Sequence, residues 1–421
     1  MKVWIEPSQT QGTVKIPASK SMVHRAIICA SLAQGTSIVS NVTYSKDIDA
    51  TITCMEALGA CIEKKEDRCI IQGCDVTQRN SNICCDCQES GSTMRFLIPL
   101  AALSPFKAVL QGHGRLLSRP MDVYQTIFAH QGLSFQQKET IELQGPLQPG
   151  HFLIPGDISS QFITGLLLAL PLLKKESTLE ITEPYQSRSY VELTLQMLQT
   201  FGIHIDQTSP TSYVIPGNQT YHATNVNVEG DYSQMAFFGV LGAIQNQITC
   251  KNMDPASRQG DKVILDFLKQ GGATVTMGSE ICIESGLLNG QTIDLADCPD
   301  LGPILCVLAA YSTGTTKLIH ARRLRMKESD RIEAMEKELK KWKVDITSTE
   351  DTITIHGKPA YRCESPVQIE GHNDHRIVMA MTVFGLCADS PSQITGAHAI
   401  TKSYPHFFED IISIQGKVEI V

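Results

Sequence analysis

PASKSMVHRAIICASLA (residues 17–33), CQESGSTMRFLIPLAAL (87–103), PGDISSQFITGLLLALPLL (155–173), EGDYSQMAFFGVLGAI (229–244), CPDLGPILCVLAAY (298–311) and GHNDHRIVMAMTVFGL (371–386) share one pattern. Each opens with a short polar cluster able to start a helix and runs on into an apolar stretch. Successive starts lie about 70 residues apart, so six copies fill the 421-residue chain. About 30 residues after each start comes a more amphipathic segment: DIDATITCMEALGA from Asp47, DVYQTIFAHQGL from Asp122, SYVELTLQMLQTFGI from Ser189, DKVILDFLKQGGA from Asp261, SDRIEAMEKELKKW from Ser329, and the final FFEDIISI. These begin with residues that can cap free amides, and several end at glycine. Short β-branched runs such as TVTM, DTITIHG from Asp351 and SYVIPG from Ser212 read as strands. Each copy therefore holds two helices and a few strands. Six copies could build one solenoid or two globules of three, and the chain length favours two globules.

Apolar residues make up 42 % and charged residues 19 %, the balance of an ordered globular chain rather than a disordered one. The start, MKVWIEPSQT, has no apolar stretch behind a basic head, so the expected location is cytoplasmic. FITGLLLALPLL (162–173) is too short to span a bilayer and contains Gly165 and Pro171; it reads as a buried helix. The fourteen cysteines are expected to be reduced thiols. Cys84, Cys85 and Cys87, following Cys69 and Cys74, raise a structural zinc site, but a second tight pair and an interleaved His are missing. They read instead as small apolar residues on strands and turns. A net charge of −8 argues against a large nucleic-acid footprint, so any cations that matter are gathered locally, as a site for small phosphorylated anions requires.

Helix starts are natural anion sites, because free backbone amides and the helix dipole both point positive charge outward. Several starts here add side chains that can ligate phosphate or carboxylate: Lys20, Ser21 and Arg25; Arg95; Ser159, Ser160 and Gln161; His375 and Arg376. Between the first and second helices lie Arg119 in LLSRPMD, Arg188 in YQSRSY, and ARRLRMKESDR with Lys327 and Arg331. Any one such charge could simply solvate a helix end. Their recurrence at equivalent places points to a site.

PASKSMVHRA, SGSTMRF, SRPMD, SSQFITGLL, MKESDRIEAM and NDHRIVMA resemble, in this order, the motifs of the 5-enolpyruvylshikimate-3-phosphate synthases, from about Pro7 to Phe408. The resemblance implies an α/β (α+β) fold, a two-domain inverse α/β barrel of six βαβαββ repeats. Residues 1–18 plus 228–421 would form a discontinuous domain and 19–227 the second, with the active site in the cleft between them. It implies transfer of the enolpyruvyl group of phosphoenolpyruvate to the 5-hydroxyl of shikimate 3-phosphate, with release of phosphate, in the shikimate pathway. Shikimate 3-phosphate would meet Lys20, Ser21, Arg25, Ser159, Ser160, Gln161, Ser187, Tyr190, Asp300, Arg323 and Lys327. Phosphoenolpyruvate would meet Lys20, Gly91, Arg119, Gln161, Arg331, Arg376 and Lys402. Asp300 and Glu328 are the expected proton-transfer carboxylates, with Lys20 a competitor and His375 assisting. A monomer without cofactor or metal, and without nucleic-acid or membrane partners, is expected, with glyphosate as an inhibitor because Gly91 stands where tolerant members of the family carry alanine.

Two positions depart from the commonest pattern of that family. Glu89 stands where an Asn often begins the Gly-rich loop, and Arg323 where an Asn contacting shikimate 3-phosphate is frequent. A rival acceptor, UDP-N-acetylglucosamine, goes with a Lys-Asn pair near the start and a reactive loop cysteine; here the pair is Lys20-Ser21 and GHGRLLSRPMD has no cysteine. A non-catalytic module binding phosphorylated ligands would explain the cations but not why Asp300 and Glu328 sit among them, where they weaken anion binding.

Overall fold

A helix that is apolar on every side is stable only when it is covered on every side. In the computed structural model of the chain, which describes residues 1–421, the six apolar runs form the helices Lys20–Leu32, Gly91–Ala101, Ser160–Ala169, Tyr232–Ile244, Gly302–Tyr311 and His375–Cys387, and nearly all their residues are buried. The amphipathic segments form second helices that bury one face. Arg188–Thr200, for example, turns Val191, Leu193, Thr194, Met197 and Leu198 inward.

Each repeat runs βαβαββ. In one, strand Ile83–Asp86 leads into the buried helix Gly91–Ala101, then come strand Lys107–Gln111, helix Asp122–His130, and the hairpin Ser134–Gln137 with Ile141–Gln144. The four strands make one sheet in which 83–86 pairs parallel with 107–111, followed antiparallel by 141–144 and then 134–137. The parallel pair requires a crossover, which the first helix supplies; the antiparallel pair needs only a tight turn. All six sheets are four-stranded with this order of pairings.

Three repeats make up a unit of Met1–Pro17 and Glu229–Val421, and three make up Ala18–Val228, each with its own apolar core. Two repeats take their first strand from afar. Val226–Asn227 pairs with Thr36–Ser40 in the second unit, and Gly12–Lys15 pairs with Ile248–Lys251 in the first. Lys2–Glu6 also joins the first unit, beside Ser392–Thr395 and Lys417–Ile420. Ala18 and Val228, placed from the sequence with the discontinuous half, lie in the other unit.

The run at 162–173 is helical only to Ala169; Leu170–Leu172 is a 3-10 turn. Pro171 has no N–H for the Leu167 carbonyl, so the α-helix cannot continue through it. Pro99 has the same effect within helix Gly91–Ala101, where it leaves the Arg95 carbonyl without its N–H. The hydroxyl of buried Tyr124 donates to that carbonyl at 2.6 Å. Gly165 makes this approach possible: a Cβ there would stand 2.3 Å from the Tyr124 hydroxyl and 2.5 Å from the Arg95 carbonyl oxygen.

The cysteines weighed as zinc ligands do not share one environment. Cys85 and Cys87 are buried, Cys84 is exposed, Cys69 lies 3.4 Å from the Tyr44 hydroxyl, and Cys74 donates to the Leu58 carbonyl at 3.5 Å. All fourteen thiols are free of disulfides.

Candidate active site

In the unit Ala18–Val228, three buried helices begin behind serines. Ser90 Oγ accepts from Thr93 N at 3.2 Å and Ser159 Oγ from Gln161 N at 3.3 Å, while Ser19 precedes the helix that opens with Lys20. A serine cap satisfies one orphan amide and adds no charge, so these helix ends stay positive. Arg119, Gly91 and Gln161 come together there: a Cβ on Gly91 would lie 2.8 Å from Arg119 Nη1 and 3.6 Å from Gln161 Oε1. The Gln161 amide is fixed at both ends, accepting from Arg95 Nη1 at 2.8 Å and donating to Ser92 Oγ at 2.9 Å. Arg95 is itself held by the Pro120 carbonyl at 3.1 Å and stacks over Phe162.

Lys20 forms an ion pair with Asp47 at 2.8 Å, and both side chains are largely buried. Arg25 is tied into the protein: Nε donates to Thr194 Oγ1 (2.8 Å), Nη1 to the Ser21 carbonyl (2.7 Å), and Nη2 to the Tyr190 carbonyl (2.8 Å) and Thr164 Oγ1 (3.3 Å). Four of its five N–H groups are thus engaged, which leaves one on Nη1 for any further partner. Burial lowers its pKa to about 10, and it stays charged at neutral pH. Ser160 is buried at the start of its helix. Ser187 is buried ahead of helix Arg188–Thr200 in the left-handed region (φ 54°), which a non-glycine residue holds only when its surroundings enforce it.

The unit Met1–Pro17 with Glu229–Val421 gathers charge of both signs. Asp300 could have been a plain helix cap, but its carboxylate does not cap the following helix. Instead Oδ1 accepts from Lys327 Nζ (3.0 Å) and Arg331 Nη1 (3.1 Å), and Oδ2 from Arg376 Nη2 (3.1 Å). Burial alone would raise its pKa; Arg376, Lys327 and Arg331 together outweigh that and hold it well below the usual carboxylate range. Burial lowers Lys327 to about 8 despite the opposing pull of Asp300.

Arg331 is fully buried, a position no guanidinium can hold without compensation. Asp374 supplies it: Arg331 Nε donates to Oδ2 at 2.8 Å and Nη2 to Oδ1 at 3.2 Å, while Ser329 Oγ donates to Oδ2 at 3.0 Å. The same Asp374 caps helix His375–Cys387. His375 Nδ1 lies 2.8 Å from Glu328 Oε2, and Arg331 Nη2 lies 3.9 Å from Glu328 Oε1. Arg376 also donates to Ser233 Oγ (2.9 Å) and the Asp300 carbonyl (3.0 Å), and Lys402 Nζ to the Asn373 carbonyl (2.6 Å). Arg323 is buried on the 3-10 turn Arg322–Met326.

The structure thus brings Asp300, Lys327, Glu328, Arg331, His375 and Arg376 into one cluster of hydrogen bonds and ion pairs, and sets Gly91, Arg119 and Gln161 beside one another in the other unit. Asp374, Asp47, Ser233 and Ser92 support them without having been singled out from the sequence. A usable signal existed for Asp374: a buried Arg demands a nearby acid, and Asp374 adjoins His375 in the NDHR stretch.

The EPSP synthase (3-phosphoshikimate 1-carboxyvinyltransferase) family description matches residues 5–411. The chain is 43 % identical over 423 residues to the 3-phosphoshikimate 1-carboxyvinyltransferase of Clostridium kluyveri, covering 99 % of this chain and 98 % of that one. The chain belongs to the EPSP synthase family. The corresponding protein of Clostridioides difficile is 40 % identical over 428 residues, again 99 % of this chain and 98 % of that one. Among solved structures, EPSP synthase from Acinetobacter baumannii superposes with a TM-score of 0.81 at 28 % identity, over 99 % of each chain. The enolpyruvyl transferase NikO from Streptomyces tendae (TM-score 0.79, 15 % identity, 99 % of this chain and 98 % of that one) shares the fold. EPSP synthases transfer the enolpyruvyl group of phosphoenolpyruvate to shikimate 3-phosphate in the shikimate pathway of aromatic amino-acid biosynthesis, and this chain is an enzyme of that kind. No helix is long and apolar enough to cross a membrane.

Proposed function

We propose that the helix starts of the second unit that follow serines bind the two substrates, and that the carboxylates of the first unit carry the proton transfers. Lys20, Ser21, Arg25, Ser159, Ser160, Gln161, Ser187 and Tyr190 would receive shikimate 3-phosphate, with Asp300, Arg323 and Lys327 contributing from the first unit. Lys20, Gly91, Arg119, Gln161, Arg331, Arg376 and Lys402 would receive phosphoenolpyruvate. Guanidinium groups suit these anions because they bind carboxylate and phosphate through paired N–H donors.

The observation that carries the reading is Asp300, a carboxylate bonded by three cations yet free of any capping role. Its carboxylate is the group that takes the 5-hydroxyl proton as that oxygen bonds to C2 of phosphoenolpyruvate, and it passes the proton on to the phosphate as that group departs. Glu328, oriented by His375, delivers a proton to C3. The tetrahedral adduct then loses phosphate while Glu328 takes a proton back from C3, which restores the double bond. Lys20 remains the competitor for either transfer. We further propose a cytoplasmic monomer inhibited by glyphosate in competition with phosphoenolpyruvate, since space beside Arg119 depends on Gly91 lacking a Cβ.

Phosphate release with phosphoenolpyruvate plus shikimate 3-phosphate, compared with phosphoenolpyruvate plus UDP-N-acetylglucosamine, tests the reading. Release is expected only with the first pair; release with the sugar nucleotide instead would overturn it.

A further inference from the structure

One turn beyond Lys20, a buried chain of polar side chains runs through the second unit that the proposed chemistry does not use. His24 Nδ1 lies 2.7 Å from Thr51 Oγ1, Thr51 Oγ1 lies 2.7 Å from Thr93 Oγ1, and the Thr93 hydroxyl donates to Ser90 Oγ at 2.7 Å. Ser90 caps the helix that begins at Gly91. All four are buried, three within helices and Ser90 at the start of one. A buried hydroxyl or imidazole without a partner is costly, so the members of such a chain fix one another's position.

The chain joins two places already described. His24 stands on helix Lys20–Leu32, and Thr51 on helix Lys46–Ala57, whose Asp47 holds Lys20. The Asp47 carbonyl lies 3.4 Å from both the Thr51 and Thr93 hydroxyls. Lys20–Asp47 and His24–Thr51 are therefore successive rungs between the same two helices, and Thr93 with Ser90 extends the second rung to the start at Gly91. His24 Nε2 has no hydrogen-bond partner, so Nδ1 alone ties the ring into the chain, while Phe96 meets it edge-on at 6.4 Å. Burial, reinforced by Lys20 and Arg25, holds its pKa well below the ordinary value, so the ring is neutral.

We infer that His24 is a positioning residue which, through Thr51, Thr93 and Ser90, sets the Gly91 helix start against Lys20 and thereby tunes capture of phosphoenolpyruvate more than that of shikimate 3-phosphate. This rests on the assignment of Gly91 and Arg119 to phosphoenolpyruvate. Residues assigned to shikimate 3-phosphate at Ser187 and Tyr190 lie instead beside the separate set of bonds that Arg25 makes to Thr194, Thr164 and Tyr190.

The test is steady-state kinetics of the full chain with each substrate varied in turn, together with melting temperature. His24→Leu is expected to raise KM for phosphoenolpyruvate about tenfold, with KM for shikimate 3-phosphate within about twofold and kcat little changed. His24→Asn places an amide nitrogen where Nδ1 stood and should restore KM to within about twofold of the parent. Thr93→Val keeps side-chain volume while cutting the chain; it should reproduce the shift, and it carries the test if His24→Leu does not fold. Equal rises in both KM values, failure of Asn to rescue, or an unchanged phosphoenolpyruvate KM in Thr93→Val would each overturn the inference. Arg119→Ala separates the two levels. If it leaves the phosphoenolpyruvate KM unmoved, the substrate assignment itself fails; if it raises that KM while the His24 and Thr93 variants do not, only the inference fails.

Discussion

The two units are built from the same repeat, yet their buried helices start differently. In Ala18–Val228 the residues at the starts are Ser19, Ser90 and Ser159; in the other unit Asp231 and Asp374 cap, and Asp300 stands just ahead of its helix. A serine leaves the positive end of the helix to attract an outside anion. An aspartate brings the anion with it, and two of these recruit arginine or lysine: Asp374 holds Arg331, and Asp300 holds Lys327, Arg331 and Arg376. The difference teaches that one repeated scaffold can start its buried helices behind an uncharged serine or behind an aspartate that gathers cations around it.

The largest effects should come from the carboxylates proposed to move protons. Glu328→Gln and Asp300→Asn are each expected to cut kcat by about 10² or more, while shikimate 3-phosphate binding by calorimetry stays within about tenfold. The amides keep the shape and lose the proton chemistry. Near-parental turnover in both variants would erase the contrast between the units and move attention to Lys20 and His375.

Removing a cation proposed to contact substrate should behave in the opposite way. Arg119→Ala or Lys402→Ala is expected to raise KM for phosphoenolpyruvate about 10- to 100-fold, as loss of a charge-assisted contact does, with kcat at saturation changed much less. A fall in kcat with KM unchanged would show that these residues act in the chemical step.

The pH profile gives a subtler separation. Lys327 is held down to about 8 and is protonated below that value. Its folded-state pKa lies under that of the unfolded chain, so this group costs stability below pH 8 and the cost fades as pH rises toward the unfolded value. In the proposed site the ammonium is the form that would meet substrate hydroxyls, so kcat/KM for shikimate 3-phosphate should fall above pH 8, by about tenfold per pH unit. Lys327→Arg should remove that limb; a limb that persists in this variant belongs to another group. The smallest effect is reserved for Gly91→Ala, whose Cβ would meet the movable end of Arg119 at 2.8 Å. We expect a rise of about threefold in KM for phosphoenolpyruvate and a larger loss of glyphosate inhibition, both read from initial rates.

Much of the fold was legible because the repeat signal is local: an all-apolar run must be a buried helix, and the β-branched pairs that follow it must be strands. Pro171 argued against a membrane span, but the place where its missing N–H ends the helix, Ala169, is visible only in the structure. The role of Arg25 was half legible. Its charge and place in PASKSMVHRA were visible, whereas its bonds to Thr194, Thr164 and Tyr190 span some 140 to 170 positions and no local pattern encodes them. Asp300 shows the same limit in reverse. As a sequence it could be a cap or a charge partner, and only the convergence of Lys327, Arg331 and Arg376 decides between them.

The most direct test of the division between the units is deuterium wash-in at C3. With phosphoenolpyruvate and shikimate 3-phosphate in D2O, the addition step makes a methyl group at C3, and its reversal or collapse leaves deuterium in recovered phosphoenolpyruvate and in product, measurable by mass spectrometry. Glu328→Gln should lose this incorporation while still binding shikimate 3-phosphate, and Arg119→Ala should retain it at saturating phosphoenolpyruvate. Wash-in at the parental rate in Glu328→Gln would contradict the assignment of proton transfer to the aspartate-capped unit.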